Sequence, residues 1–138
     1  MKKLFVDTSG WANLAYSSEP FHDQAVQAYS SALSDNVRLI TTNYVIAELV
    51  PLLTSVLKIP RPRIIEFINS IKGSAHFEIV HIDGDLDTLA WKHLEARSDK
   101  NWSLVDASSF VLMQELGMTE AMTTDHHFEQ AGFVRLLK

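Results

Sequence analysis

The sequence predicts an α/β fold: a mostly parallel sheet with helices on both faces. Three observations carry that reading. Short apolar runs rich in Val, Ile, Leu and Phe alternate with longer stretches of helical periodicity. Polar residues or glycine bound each run, and no internal repeat, low-complexity segment or domain linker interrupts the alternation. At 138 residues and 46% hydrophobic content, the chain (1–138) has the size of a single domain and enough apolar mass for a core without staples.

Residues 3–6 read as the first strand, ended abruptly by Asp7 and followed by a short helical stretch, SGWANLAY. A helical pattern over 21–34 leads to a second strand at 37–41. Helical patterns over 43–58 and 61–72 come next, separated at Pro60 and Pro62, since proline removes a donor and disfavours helix in the residue before it. A third strand at 77–82 precedes helices at 84–98 and 103–116, the latter stopped by Gly117. Strand 120–123, a short helix at 125–131 and strand 133–137 complete the chain.

Composition excludes several classes. With no cysteine there is neither a disulfide framework nor a thiolate metal site, which fits a reducing compartment, and a cytoplasmic protein is expected. No apolar run approaches the roughly 20 residues a membrane span needs, and the opening MKKLFVDT turns acidic before a signal-peptide core could develop. The net charge of -5 counts against a broad nucleic-acid surface.

In an open parallel sheet the ligand site lies beyond the carboxyl ends of the strands. Asp7 follows the first strand, Asp125 follows the fourth in MTTDHHF, and Asp106 opens the helix of WSLVDASSF, whose N-terminus faces the same edge. Glu48, in TTNYVIAELV, is the single acid of a mostly apolar helical stretch. Three have a plainer use, Asp7 and Asp125 as helix caps and Asp106 as the last member of a Ser103–Asp106 capping box, whereas Glu48 sits close to an apolar face where an unpaired carboxylate is costly. Together they repel one another and call for a cation, and oxygen donors without cysteine suit Mg²⁺ or Mn²⁺.

The motifs LFVDTSGW, TNYVIAE, SLVDAS and TTDHHFEQAGF, in that order, resemble those of PIN-domain ribonucleases, and more narrowly the VapC-type toxins of toxin–antitoxin pairs. The resemblance spans nearly the whole chain. It implies a three-layer α/β/α sandwich with a five-stranded parallel sheet and hydrolysis of RNA phosphodiesters by metal-activated water. It assigns Asp7, Glu48, Asp106 and Asp125 to metal binding and catalysis, with Thr8 or Ser9, Ser103 and Thr124 as accessory hydroxyls. It also implies an RNA substrate, a small inhibitory antitoxin and a homodimer, with no membrane partner. A PIN-type nuclease outside a toxin–antitoxin pair, or a non-catalytic RNA- or protein-binding module, stands as the alternative.

Setting the four acids aside leaves a net charge of -1, so much of the acidity is the site itself. Lys58, Arg61 and Arg63 in LKIPRPR are candidate RNA contacts, with Lys92, Arg97 and Lys100 as a second patch. His126 and His127 are read as surface or supporting groups rather than ligands, and Trp11 and Tyr16 as packing residues. Aspartyl-phosphate chemistry fits poorly: a haloacid-dehalogenase phosphatase wants D-x-D and position 9 is Ser, while a receiver domain wants an acidic pair and a lysine that are not found.

Overall fold

The computed structural model describes residues 2–138. Its elements are β1 (Lys3–Val6), α1 (Thr8–Ala15), α2 (His22–Ser34), β2 (Arg38–Thr42), α3 (Asn43–Pro51), a π-helical stretch (Leu52–Val56), α4 (Arg61–Gly73), β3 (Phe77–Val80), α5 (Gly84–Ala96), α6 (Leu104–Glu115), β4 (Glu120–Met122), α7 (His127–Gln130) and β5 (Val134–Arg135). The five strands lie in the order β3-β2-β1-β4-β5, and every pair is parallel. The sheet is therefore wholly parallel.

The chain runs outward from β1 through β2 to β3, then returns to the other side of β1 for β4 and β5. Right-handed crossovers consequently place α1–α4 on one face and α5–α7 on the other. Trp11 of α1 meets Phe67 of α4 and Phe77 of β3 edge-on on the first face. On the second, Phe110 of α6 meets Trp102 and Phe128, and Phe128 reaches Phe5 of β1. The central strand β1 is buried on both faces, as an apolar run in a parallel sheet should be.

One glycine sets the spacing between α1 and the sheet. A Cβ on Gly10 would overlap the Met122 carbonyl oxygen, so only glycine lets the first turn of α1 press against the end of β4.

The expected helix over 43–58 is α-helical only as far as Pro51. Pro51 has no N–H to donate, and the chain widens into π geometry over Leu52–Val56, with Leu57 N–H bonding Leu52 O at 3.2 Å. The strand ends are also shorter than the apolar runs: residues 81–82, 123 and 136–137 continue past the hydrogen-bonded ladder. Ile82 and Leu137 are buried all the same, packed as loop residues.

Candidate active site

The strand order reverses between β1 and β4, and at that switch point a parallel sheet leaves a crevice beyond its carboxyl ends. Asp7 leaves β1 into this crevice, its N–H bonded to Met122 O at 3.2 Å and its carbonyl accepting from Trp11 N–H to start α1. The Asp7 side chain makes no capping bond to that helix. Its Oδ2 instead accepts from the Thr123 hydroxyl at 2.9 Å, and the residue is 7% exposed. Burial pushes the Asp7 carboxyl up to about 7; bonds from Thr8 and Thr123 oppose this, and the charges of Asp106 and Asp125 add to it.

Asp106 reaches the same crevice from the first turn of α6. The full capping box is present: Ser103 Oγ accepts from Asp106 N–H and Asp106 Oδ2 accepts from Ser103 N–H, both at 3.0 Å. Capping does not exhaust the carboxylate, for the same Oδ2 lies 3.1 Å from His127 Nδ1. Burial raises its pKa, the Ser103 bond opposes, and Asp125 adds repulsion.

Asp125 follows β4, its N–H donating to Thr123 Oγ1 at 3.0 Å and its Oδ1 accepting from His127 N–H at 2.9 Å. Glu48 sits two turns into α3, exposed at the rim. Partial burial raises its pKa first, and the charges of Asp106 and Asp125 raise it further, so α3 brings it within their electrostatic reach. The second motif has a local logic: Thr42 Oγ1 caps α3 by accepting from Val45 N–H at 3.0 Å, Val45 is buried, and Glu48 follows one turn later.

The structure thus gathers all four acids at one edge of the sheet. Among the described residues, the one compact group of metal-type donors, with atoms within 4.8 Å of one another, is Asp125, His126 and His127. The acids stand wider apart, and the His127 ring lies between two of them, its Nδ1 3.1 Å from Asp106 Oδ2 and 3.2 Å from Asp125 Oδ1. Facing two carboxylates, that nitrogen acts as the donor. His126 is exposed.

The accessory hydroxyls are distributed differently from expectation. Thr123, absent from the expected set, is fully buried and joins the site: it donates to Asp7, accepts from Asp125 N–H and lies 3.2 Å from Ser9 Oγ. Ser9 Oγ accepts from Thr124 N–H at 2.9 Å, so Thr124 is held by its backbone. Thr8 Oγ1 is buried with no partner among the described residues. Ser103 serves the capping box. The signal for Thr123 was in the motif, whose T-x-D threonine is Thr123 and not Thr124.

Lys58, Arg61 and Arg63 lie exposed around the start of α4, contact none of the four acids, and form no ion pair among the described residues. In the second patch, Arg97 is held by both oxygens of Asp99 at 3.1 Å and lies over the Trp102 ring, and Lys100 is 3.8 Å from the same carboxylate. Trp11 is core, its Nε1 donating to Thr41 Oγ1 at 3.1 Å. Tyr16 packs half-buried against Phe67. A cavity of about 410 Å³ beside edge strand β3, lined by Asn43, Ile46, Lys72 and Phe77 among others, includes none of the acids.

Residues 4–134 match the PIN domain family. The chain is 31% identical over 133 residues to the 23S rRNA-specific endonuclease VapC20 of Mycobacterium tuberculosis, covering 96% of this chain and 97% of the relative. It belongs to the PIN-domain family, in its VapC branch. The crystal structure of M. tuberculosis VapC20, described as a sarcin–ricin loop cleaving toxin, superposes with a TM-score of 0.85 at 29% identity, over 98% of this chain and 99% of that one. VapBC2 from Rickettsia felis, bound to a DNA fragment from its promoter, gives a TM-score of 0.65 at 11% identity over 96% of each chain, a likeness of fold. Within this PIN domain, the four motifs coincide with the four elements that meet at the switch point: the end of β1, α3, the start of α6 and the turn after β4.

Proposed function

We propose that the chain is an endoribonuclease toxin of a toxin–antitoxin pair, and that Asp7, Glu48, Asp106 and Asp125 hold the Mg²⁺ or Mn²⁺ ion on which cleavage depends. The observation that supports this most is Asp7, a carboxyl buried at the switch point that takes hydrogen bonds from Thr8 and Thr123 and, among the described residues, pairs with no Lys or Arg. A fold does not keep an unneutralised buried carboxylate beside two others without a use for it. The donor set, all hard oxygen, suits these ions. Bound there, such an ion polarises a phosphodiester and lowers the pKa of an attacking water.

The chain's own residues do the positioning. Thr123 fixes the orientation of Asp7 and anchors the backbone of Asp125. His127 holds Asp106 and Asp125 apart at a set distance, and the Ser103 N–H orients the Asp106 carboxylate from the other side. Lys58, Arg61 and Arg63 form no ion pair among the described residues, and their charges are available to RNA phosphates.

The test is cleavage of RNA by the purified protein followed by end mapping. Total RNA and a sarcin–ricin loop oligonucleotide, the target for which the relative is named, are the first substrates. Cuts are expected in Mg²⁺ or Mn²⁺ and none in EDTA. Asp7→Asn or Asp106→Asn should each lower the rate roughly a thousandfold or more. Undiminished cleavage in both variants overturns the ligand assignment.

The partners proposed are a second copy and a small antitoxin, acting in the cytoplasm. Among the described residues no helix is long and apolar enough to cross a membrane. Ile65 is 52% exposed in a groove of about 280 Å³ that it lines with Ile46, Val50, Ile64 and Ile68 between α3 and α4. That apolar face supports a two-fold dimer. A polar cleft of about 310 Å³ on the other flank of α4, lined by Tyr16, Arg63, Glu66 and Phe67, suits an antitoxin segment. Light scattering at tens of micromolar should show twice the 15.6 kDa mass of one chain, and a monomer sinks the dimer alone.

A further inference from the structure

We propose that Trp91 is a stacking platform for a base of the RNA strand, set beside the acids by way of Tyr44 and Asp87. The proposal rests on the endoribonuclease reading.

The chain has three tryptophans, and two of them are core: Trp11 is 1% exposed and Trp102 5%. Trp91 is 53% exposed on α5. An indole is the most costly side chain to leave in water, and burying it is the usual outcome. The core-facing residues of α5 are Leu86, Ala90, His93 and Leu94, and Trp91 stands at the flank of that stripe, on the same side as Asp87 one turn before it.

That flank is tied to the catalytic edge by one contact. Asp87 Oδ1 accepts from the Tyr44 phenol at 2.7 Å, and Tyr44 lies one turn before Glu48 on α3. Side chains four apart on a helix are neighbours about 5–6 Å apart. Glu48, Tyr44, Asp87 and Trp91 therefore form a continuous ridge that leads from the acids onto the open face of α5: one turn of α3, the Tyr44–Asp87 hydrogen bond, and one turn of α5. A single strand whose scissile phosphate lies at the acids reaches the indole within a few nucleotides.

The local charge selects the kind of contact. Asp87 and Glu95 stand one turn to either side of Trp91 and outnumber Lys92 beside it, so phosphates are on balance repelled there. The uncharged face of a base is not. Stacking on an aromatic side chain is sequence-tolerant, because every base has a π-face, so Trp91 positions the strand without choosing the cleavage site.

Trp91 is also the one tryptophan that a ligand can reach, which makes intrinsic fluorescence a reporter of this position. The experiment titrates a short oligoadenylate and a sarcin–ricin loop oligonucleotide into the Asp7→Asn protein, which should bind without cutting, at a fixed protein concentration. Quenching is expected on binding. Trp91→Ala should weaken binding about tenfold, and Trp91→Phe should retain most of it. In otherwise wild-type protein Trp91→Ala should raise KM by a similar factor and leave kcat and the melting temperature unchanged. Two results overturn the proposal: RNA that binds and is cut while the fluorescence and the Trp91→Ala affinity stay constant, or a fluorescence change on dilution alone with Trp91→Ala turning monomeric at unchanged RNA affinity. The second assigns the indole to a contact between subunits. Wild-type protein that neither binds nor cuts RNA overturns the endoribonuclease reading and this proposal with it.

Discussion

At the scale of single residues, Asp7 carries the electrostatic cost of the proposed metal site. Its carboxyl takes up a proton near pH 7 in the folded protein and near 3.8 in the unfolded chain. Between those values the folded state binds more protons, so stability present below the lower pKa is lost as pH rises through the upper one. In EDTA the melting temperature should therefore fall between about pH 4 and about pH 7 and level off above that. Asp7→Asn should abolish most of that fall and be the more stable protein at the upper end, by on the order of 2–4 kcal/mol. Saturating Mn²⁺ should reverse the order, because only the parent gains binding energy that its folded state alone can hold. Parallel pH profiles for the two proteins would show that Asp7 carries no such strain. The acids were legible from strand ends and motif order, but Thr123 was not distinguished from Thr124. That choice depends on register: Val6 pairs with Met122, which puts Thr123 beside Asp7, and parallel register between residues so far apart in sequence leaves no local trace.

At the scale of elements, the helical periods were readable and their interruptions were less so. Proline at 60 and 62 separated two helices as expected, and Pro62 stands in the first turn of α4, where a missing N–H is harmless. Pro51 lies where the apolar period continues through it, so periodicity alone ran one helix on to residue 58. The π-helical stretch stops at Val56, and two residues on Lys58 takes a left-handed conformation at φ 57, with Ile59 N–H closing back onto Leu53 O at 2.9 Å. Glycine is the usual residue at such a stop, because a Cβ is strained there. Lys58→Gly should raise stability by roughly 0.5–1 kcal/mol, read from the denaturant midpoint, even though it enlarges the entropy of the unfolded chain. A variant less stable than the parent would mean that the lysine side chain contributes more than its backbone costs.

At the scale of the whole molecule, the alternation of strands and helices was enough to read a parallel sheet with two helical layers, and the strand-end rule was enough to read which edge carries the site. The strand order was not readable from periodicity, because any right-handed arrangement satisfies the same pattern. The order β3-β2-β1-β4-β5 has a consequence for when activity begins. Residues 2–119 include Asp7, Glu48 and Asp106, but the crevice has one wall until β4 pairs with β1 and α7 brings Asp125 and His127. Residues 120–138 also supply Met122, Phe128 and Leu137 to the core. A chain ending at residue 119 should show neither cleavage nor Mn²⁺-dependent stabilisation, and activity in such a chain would mean that the first wall suffices. Ribosome-stalled chains of increasing length should cross from inert to active only as this last segment emerges. At about 5–20 residues per second its synthesis takes roughly 1–4 s. A nuclease assembled in this order stays inert until the segment that carries Asp125 and His127 has been made and has closed the crevice.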